Sequence, residues 1–230
     1  MSTQPKFTKP SELPPRLILF QMITAHYVSH AIYVAATLGI ADLLAKEPQH
    51  CNELAKATGT HGPSLNRLMR LLVSAGIFAQ QENGRFALTP VGECLRTGVP
   101  GSSHATALLF TGPLVNRSWG DLLYSVKTGE TAFEHAFGMG AFQYLSQHPE
   151  EAAMFNDAMT SGSTQAAIAI PSAYDFSALG TIVDVGGGHG ILLASILKAN
   201  PALRWDSFRG ASCGRGRKKA DRNRRTRRTL

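Results

Sequence analysis

The residues with the clearest chemical potential lie at Asp184-Val-Gly-Gly-Gly-His-Gly190, where an acidic side chain precedes four glycines in five positions. Glycine lets the backbone turn tightly and lets a ligand reach amide groups that a Cβ would screen. Ahead of the turn, Ile182, Val183 and Val185 read as a short buried strand. Behind it, Ile191, Leu192, Leu193, Ile196 and Leu197 keep helical spacing as far as Asn200-Pro201, which stops the helix. Strand, glycine turn and helix N-terminus form the first half of a nucleotide-type α/β site.

Two nucleotide signatures are excluded. The dinucleotide pattern G-x-G-x-x-G would need a glycine at 191, where Ile191 stands, and no Gly-Lys-Ser/Thr follows for a phosphate loop. What remains is acidic-x-Gly-x-Gly-x-Gly at Asp184, Gly186, Gly188 and Gly190. A glycine-rich turn without a ligand is the plainer alternative, but so many glycines weaken a fold unless something approaches them closely. The pattern resembles the first motif of S-adenosylmethionine methyltransferases, in which the turn holds the amino-acid end of S-adenosyl-L-methionine.

A chain of 230 residues holds one large or two small domains, and 43% hydrophobic residues suffice for a core. No uninterrupted run approaches the roughly 18 apolar residues of a membrane span. Met1 to Pro15 is polar and proline-rich, without the apolar centre of a signal peptide. Cys51, Cys94 and Cys213 match neither zinc nor disulfide spacing, which fits a reducing cytoplasm and no metal. The net charge of +7 is unevenly spread. Ten of the 23 Lys and Arg, but two of the 16 Asp and Glu, fall in residues 205–230, so the preceding chain is nearly neutral. Any nucleic-acid argument rests on that basic tail alone.

The elements that must position the turn are mostly helical. Residues 17–44 predict two apolar helices, broken near Gly39 or around Val28-Ser29, and Cys51 to Ala57 predicts a short helix ending at Gly59. Pro63 opens the next helix, with Leu65, Leu68, Met69 and Leu72 on one face. Ile77 to Gln80 and Arg85 to Leu88 flank Asn83-Gly84 as a hairpin. Three helices and a hairpin make a winged helix. That raises an alternative function, a DNA-binding regulator with a basic C-terminal arm. The candidate recognition helix, Pro63 to Ser74, offers only Arg67 and Arg70, which is no basic stripe. The apolar surplus in residues 17–45 fits a permanent homodimer interface better. Helical patterns continue from Ser102 to Ala169, among them Glu150 to Thr160 with Ala152, Phe155, Ala158 and Met159 on one face. Phe133 to Gly140 reads as a loop whose aromatics line a pocket or the core.

Taken together, winged helix, helical linker and Val183-Asp-Val-Gly-Gly-Gly-His-Gly190 resemble the small-molecule O-methyltransferases of plants and bacteria, such as the caffeic-acid and hydroxyindole enzymes. Ala31 to Leu44, Arg67 to Leu72, Arg85 to Pro90 and Phe155 to Met159 share the likeness, which covers about residues 17–204. It implies a mainly α winged-helix dimerisation domain at 17–100 and a helical linker at 101–172. It further implies the start of a Rossmann-like domain at 173–204, after an N-terminal tail at 1–16. The cofactor-binding residues it implies are Asp184, Gly186, Gly187, Gly188, Met159 and Ser163, with Phe155 and Met159 lining the acceptor pocket. The implied acceptor is the hydroxyl of a small aromatic or polyketide-like molecule. The general-base histidine of the family lies far beyond the glycine turn, where none of the eight histidines here stands, so no catalytic residue is assigned.

From Trp205 the sequence changes character and loses any strand pattern, where the fold needs its second strand. Read one base later, permissive codons for this stretch allow an apolar strand closed by an acidic residue. The expectation is therefore a frameshifted, disordered tail at 205–230 and a truncated chain without activity of its own.

Overall fold

The computed structural model describes residues 13–208, which form twelve helices and four short strands. Helix α1 (Pro15–Thr37) starts on a proline, whose missing N–H is no loss in a first turn. It runs unbroken through Val28-Ser29. The break falls at Gly39, which takes a φ of 62° before α2 (Ile40–Leu44). Helices α3 (Cys51–Thr58) and α4 (Gly62–Ser74) follow, and the hairpin pairs β1 (Phe78–Gln80) with β2 (Phe86–Leu88) in antiparallel register. The hairpin turn spans Gln81 to Gly84, closed by Gly84 N–H to Gln81 O at 2.9 Å, with Gly84 at φ 80°.

Ile40, Leu54, Leu65, Met69, Leu72, Phe78 and Phe86 form the centre of the main core. Only the Ala31, Ala35 and Ala36 stripe of α1 is buried. Leu19, Phe20, Met22, Ile23 and Tyr27 on the same helix are exposed. By length and composition α1 would reach across a bilayer, with a mean hydropathy of 1.3. Gln21, His26 and His30 interrupt its apolar run.

Short helices α5 (Pro90–Glu93), α6 (His104–Thr111), α7 (Pro113–Gly120), α8 (Leu122–Thr128), α9 (Ala132–Phe137) and α10 (Ala141–Gln147) lead to the 25-residue α11 (Pro149–Ala173). The expected loop at Phe133–Gly140 is thus corrected, because most of it is α9. Thr131 caps it by accepting from Glu134 N–H at 3.3 Å, Gly138 ends it at φ 75°, and Phe133 stacks on Phe137 one turn later. Helix α11 also outruns the expected Glu150–Thr160: it continues through Ser161-Gly-Ser-Thr164 to Ala173, and Pro171 lies only in its last turn.

Strand β3 (Thr181–Val185), α12 (Ile191–Ala199) and β4 (Arg204–Phe208) complete the described chain. β3 and β4 are parallel, with Thr181 opposite Arg204 and Val185 opposite Phe208. Two expectations are corrected here. Residues 205–208 form a strand despite their irregular pattern, because ladder pairing uses backbone groups that any residue but proline supplies. The β3 strand is also not buried, since Val183 and Val185 are exposed. A small cluster of Phe176, Ile196 and Leu203, with Ile182 against it, covers one face, whereas a parallel sheet is stable with both faces covered. The arginine blocks of the tail lie outside the described residues, as does most of the expected tail at 1–16.

Candidate functional site

The approach to the site is set by a turn at Asp175. Its carboxylate accepts from the Ser177 N–H at 2.9 Å, and the Ser177 side chain and backbone together hold it below the usual carboxylate range. Chain direction then feeds into β3, which carries Asp184 half-buried at its C-terminal end. The turn that follows has three left-handed glycines, Gly186 at φ 73°, Gly188 at 54° and Gly190 at 76°. These angles disfavour any residue with a Cβ. Gly190 N–H closes the turn on Gly187 O at 2.7 Å, and Ala194 N–H to Gly190 O at 2.9 Å opens α12.

Gly187 is glycine for a different reason. The Asp184 carboxylate lies where a Cβ on Gly187 would stand. An acid folded back over a glycine turn, beside the unpaired N–H groups of a helix N-terminus, is complementary to a zwitterion. Such a carboxylate suits an ammonium group, and amides of that kind suit a carboxylate.

Helix α11 supplies the second wall. Thr160 Oγ1 lies 2.9 Å from His189 Nδ1, which joins the middle of α11 to the glycine turn. Met159 precedes Thr160 and is exposed, while Ser163 sits one turn further and is half-buried. Met159 and Ser163 share α11 with Thr160, the residue that meets the turn through His189. Phe155 lies a turn earlier on α11, and its half-buried ring meets Phe142 of α10 edge-on at 6.3 Å. Sequence reasoning missed Thr160, and it missed Ser195, whose hydroxyl reaches the Ala167 carbonyl of α11 at 2.5 Å. A lone serine in the apolar α12 and a proline inside α11 were the available signals.

Two cavities of about 420 and 460 Å³ lie around Thr37 and Gly39, and neither is lined by a residue of the turn. Among the described residues, no group of three His, Cys, Asp or Glu is placed to hold a metal. Burial pushes the Cys51 thiol up, and the Glu130 carboxylate does the same to the Tyr124 hydroxyl that donates to it. Both lie outside the turn.

Comparison with known proteins matches two regions of the chain. Residues 20–98 match the O-methyltransferase dimerisation domain, and residues 119–209 match the O-methyltransferase domain. A phenazine O-methyltransferase from Lysobacter antibioticus is 45% identical over 192 residues, which are 84% of this chain and 56% of that protein. A 3-amino-4-hydroxybenzoate 4-O-methyltransferase from Streptomyces cremeus is 38% identical, over 81% of this chain and 51% of its own length. Among solved structures, LaPhzM matches with a TM-score of 0.80 and 44% identity, over 84% of this chain and 58% of that one. An O-methyltransferase from neocarzinostatin biosynthesis matches with a TM-score of 0.65 and 33% identity, over 78% and 55%. That structure is a complex with S-adenosylmethionine and 2-hydroxy-5-methyl naphthoic acid. The chain spans about half the length of the curated relatives it matches.

Proposed function

The chain belongs to the O-methyltransferase family, and from that premise we propose that its glycine turn is the methionine-end subsite for S-adenosylmethionine in methyl transfer to a small aromatic hydroxyl. The observation that carries the proposal is the Asp184 carboxylate folded over Gly187, beside the first turn of α12. Bound S-adenosylmethionine supplies an electrophilic sulfonium methyl. Asp184 and the α12 amides hold its amino-acid end, Gly186 to Gly188 let it approach the backbone, and Met159 and Ser163 flank it from α11. Phe155 contributes an apolar wall on the acceptor side, where alignment and exclusion of water supply most of the acceleration.

Transfer also needs a base for the hydroxyl proton. The eight histidines here are His26, His30, His50, His61, His104, His135, His148 and His189. His104 is tied to Ala36 O, His135 to Asp121, His148 to Tyr144 O and His189 to Thr160. We place the base outside this set, and we expect the 230-residue chain to bind cofactor weakly and not to turn over alone. The two-stranded β3–β4 sheet leaves Val183 and Val185 exposed, so the described residues offer no wall opposite them.

The exposed face of α1 completes the proposal as a homodimer interface, which the match of residues 20–98 to a dimerisation domain supports over DNA binding. Amide resonances followed during titration with S-adenosylmethionine test the cofactor reading. Shifts confined to Gly186–Leu192 and Met159–Ser163, saturating in the millimolar range, are expected. An unchanged spectrum at saturating cofactor would overturn the assignment.

A further inference from the structure

Threonine hydroxyls in these helices usually turn inward. Those of Thr37, Thr58, Thr111, Thr128 and Thr164 each donate to the carbonyl four residues back, at 2.6 to 3.0 Å. That is the common local bond for a helical threonine. Thr160 departs from it, since its hydroxyl meets His189 Nδ1 at 2.9 Å, 29 residues away. His189 is in turn the one residue between Gly186 and Gly190 that has a side chain. A run of glycines has the widest backbone freedom of any sequence and no side chains through which neighbours could restrict it. His189 is the only side-chain handle on that turn.

Resting on the cofactor reading above, we propose that Thr160 is a positioning residue: its bond to His189 fixes the Gly188–Gly190 peptides and so presents the α12 amides to the ligand. The same bond makes the shape of the turn depend on the register of α11, which carries Met159 and Ser163. Thr160 is half-buried, and its hydroxyl meets the exposed His189 ring across the two elements. The Ser195 hydroxyl bonded to Ala167 O, about two turns further along α11, keeps the two helices parallel in register without touching the turn.

Thr160→Val and Thr160→Ser in the 230-residue chain separate positioning from simple packing. Valine keeps the shape and removes the hydroxyl, while serine keeps the hydroxyl and removes a methyl. In Thr160→Val, amide exchange at Gly188–Leu192 should rise about five- to tenfold, as for loss of one net hydrogen bond, with Phe78–Gln80 unaffected. The ¹⁵N resonance of His189 Nδ1 should shift as well. Thr160→Ser should restore both. His189→Ala breaks the bond from its exposed side and should reproduce the exchange result if the valine variant does not fold. Unchanged exchange in Thr160→Val, or a serine variant that behaves like valine, overturns the inference. Cofactor titration adds a functional arm, where about fivefold weaker binding by Thr160→Val and wild-type binding by Thr160→Ser are expected. Equal affinity of all three overturns positioning. If none of the chains responds to S-adenosylmethionine, the cofactor reading fails, and the exchange result still decides whether Thr160 holds the turn.

Discussion

Ser195 of α12 donates to the Ala167 carbonyl of α11 at 2.5 Å, the acceptor that Pro171 leaves without a helical partner. In an uninterrupted helix the N–H four residues on would bond that carbonyl, and proline has none. The gap lies on the buried side, with Ala167 at 4% exposure, so it cannot be left to water. A serine from the neighbouring helix fills it, and the last turn of α11 is thereby fastened to the helix that follows the glycine turn.

A double-mutant cycle reads this directly. Ser195→Ala should cost about 1–3 kcal/mol, the penalty for an unsatisfied buried acceptor. Pro171→Ala supplies a new N–H for Ala167, so adding it to Ser195→Ala should recover part of the loss. Urea midpoints followed by the fluorescence of Trp205, in a Trp119→Phe background, give the coupling. Additive effects of the two changes would show that Ser195 does not answer to the proline.

Gly187→Ala tests the second close approach. Its backbone is not left-handed, and the Asp184 carboxylate is what the new methyl group meets first. The carboxylate must swing out, and the cofactor shifts at Gly186–Leu192 should disappear. Stability should fall by no more than about 1–3 kcal/mol, the usual cost of overpacking. Retained cofactor shifts would mean that the folded-back carboxylate is not what the ligand meets.

How far the sequence reaches depends on which interactions decide each element. Leu65, Met69 and Leu72 announce α4 through their spacing, because burial follows periodicity. Gly39, Gly59 and Asn83-Gly84 mark their turns because few other residues take those angles. Gly186, Gly188 and Gly190 mark the turn after β3 in the same way. Strand β4 was not, since Trp205 and Asp206 carry no alternating pattern and their pairing depends on where α12 returns the chain. The exposure of Val183 and Val185 was equally hidden, because apolarity says that a face wants cover and not what covers it. Thr160 looked like any helical threonine, and only the tertiary placement of His189 singles it out.

The exposed residues of α1 predict self-association. Phe20, Met22, Ile23 and Tyr27 lie within two turns of one helix, and each has more than half of its surface exposed. Contiguous apolar surface of this kind marks a protein interface. The chain should sediment as a dimer at micromolar concentration. Phe20→Glu should shift it to monomer with an unchanged helical spectrum, because Phe20 takes no part in the Ile40–Phe86 core. A wild-type monomer, or a dimer indifferent to Phe20→Glu, would point the α1 face elsewhere, with lipid vesicles as the next partner to test.

Acid should loosen the approach to β3. Ser177 holds the Asp175 carboxyl below its ordinary range, chiefly through its side chain and then through its backbone N–H. A carboxyl depressed in the folded state stabilises that state above the unfolded value of about 3.9, and the contribution is lost as pH falls through the folded value. Asp175→Asn keeps an oxygen that can accept from Ser177 N–H and removes the titration. Wild type should therefore be the more stable of the two at about pH 6, and the difference should close by about pH 2–3. The effect is small because Asp175 is exposed, so the difference between the two variants is the quantity to follow. Trp205 fluorescence during urea titration at both pH values reads it, and a difference that stays constant with pH would show that the carboxylate charge plays no part in the turn.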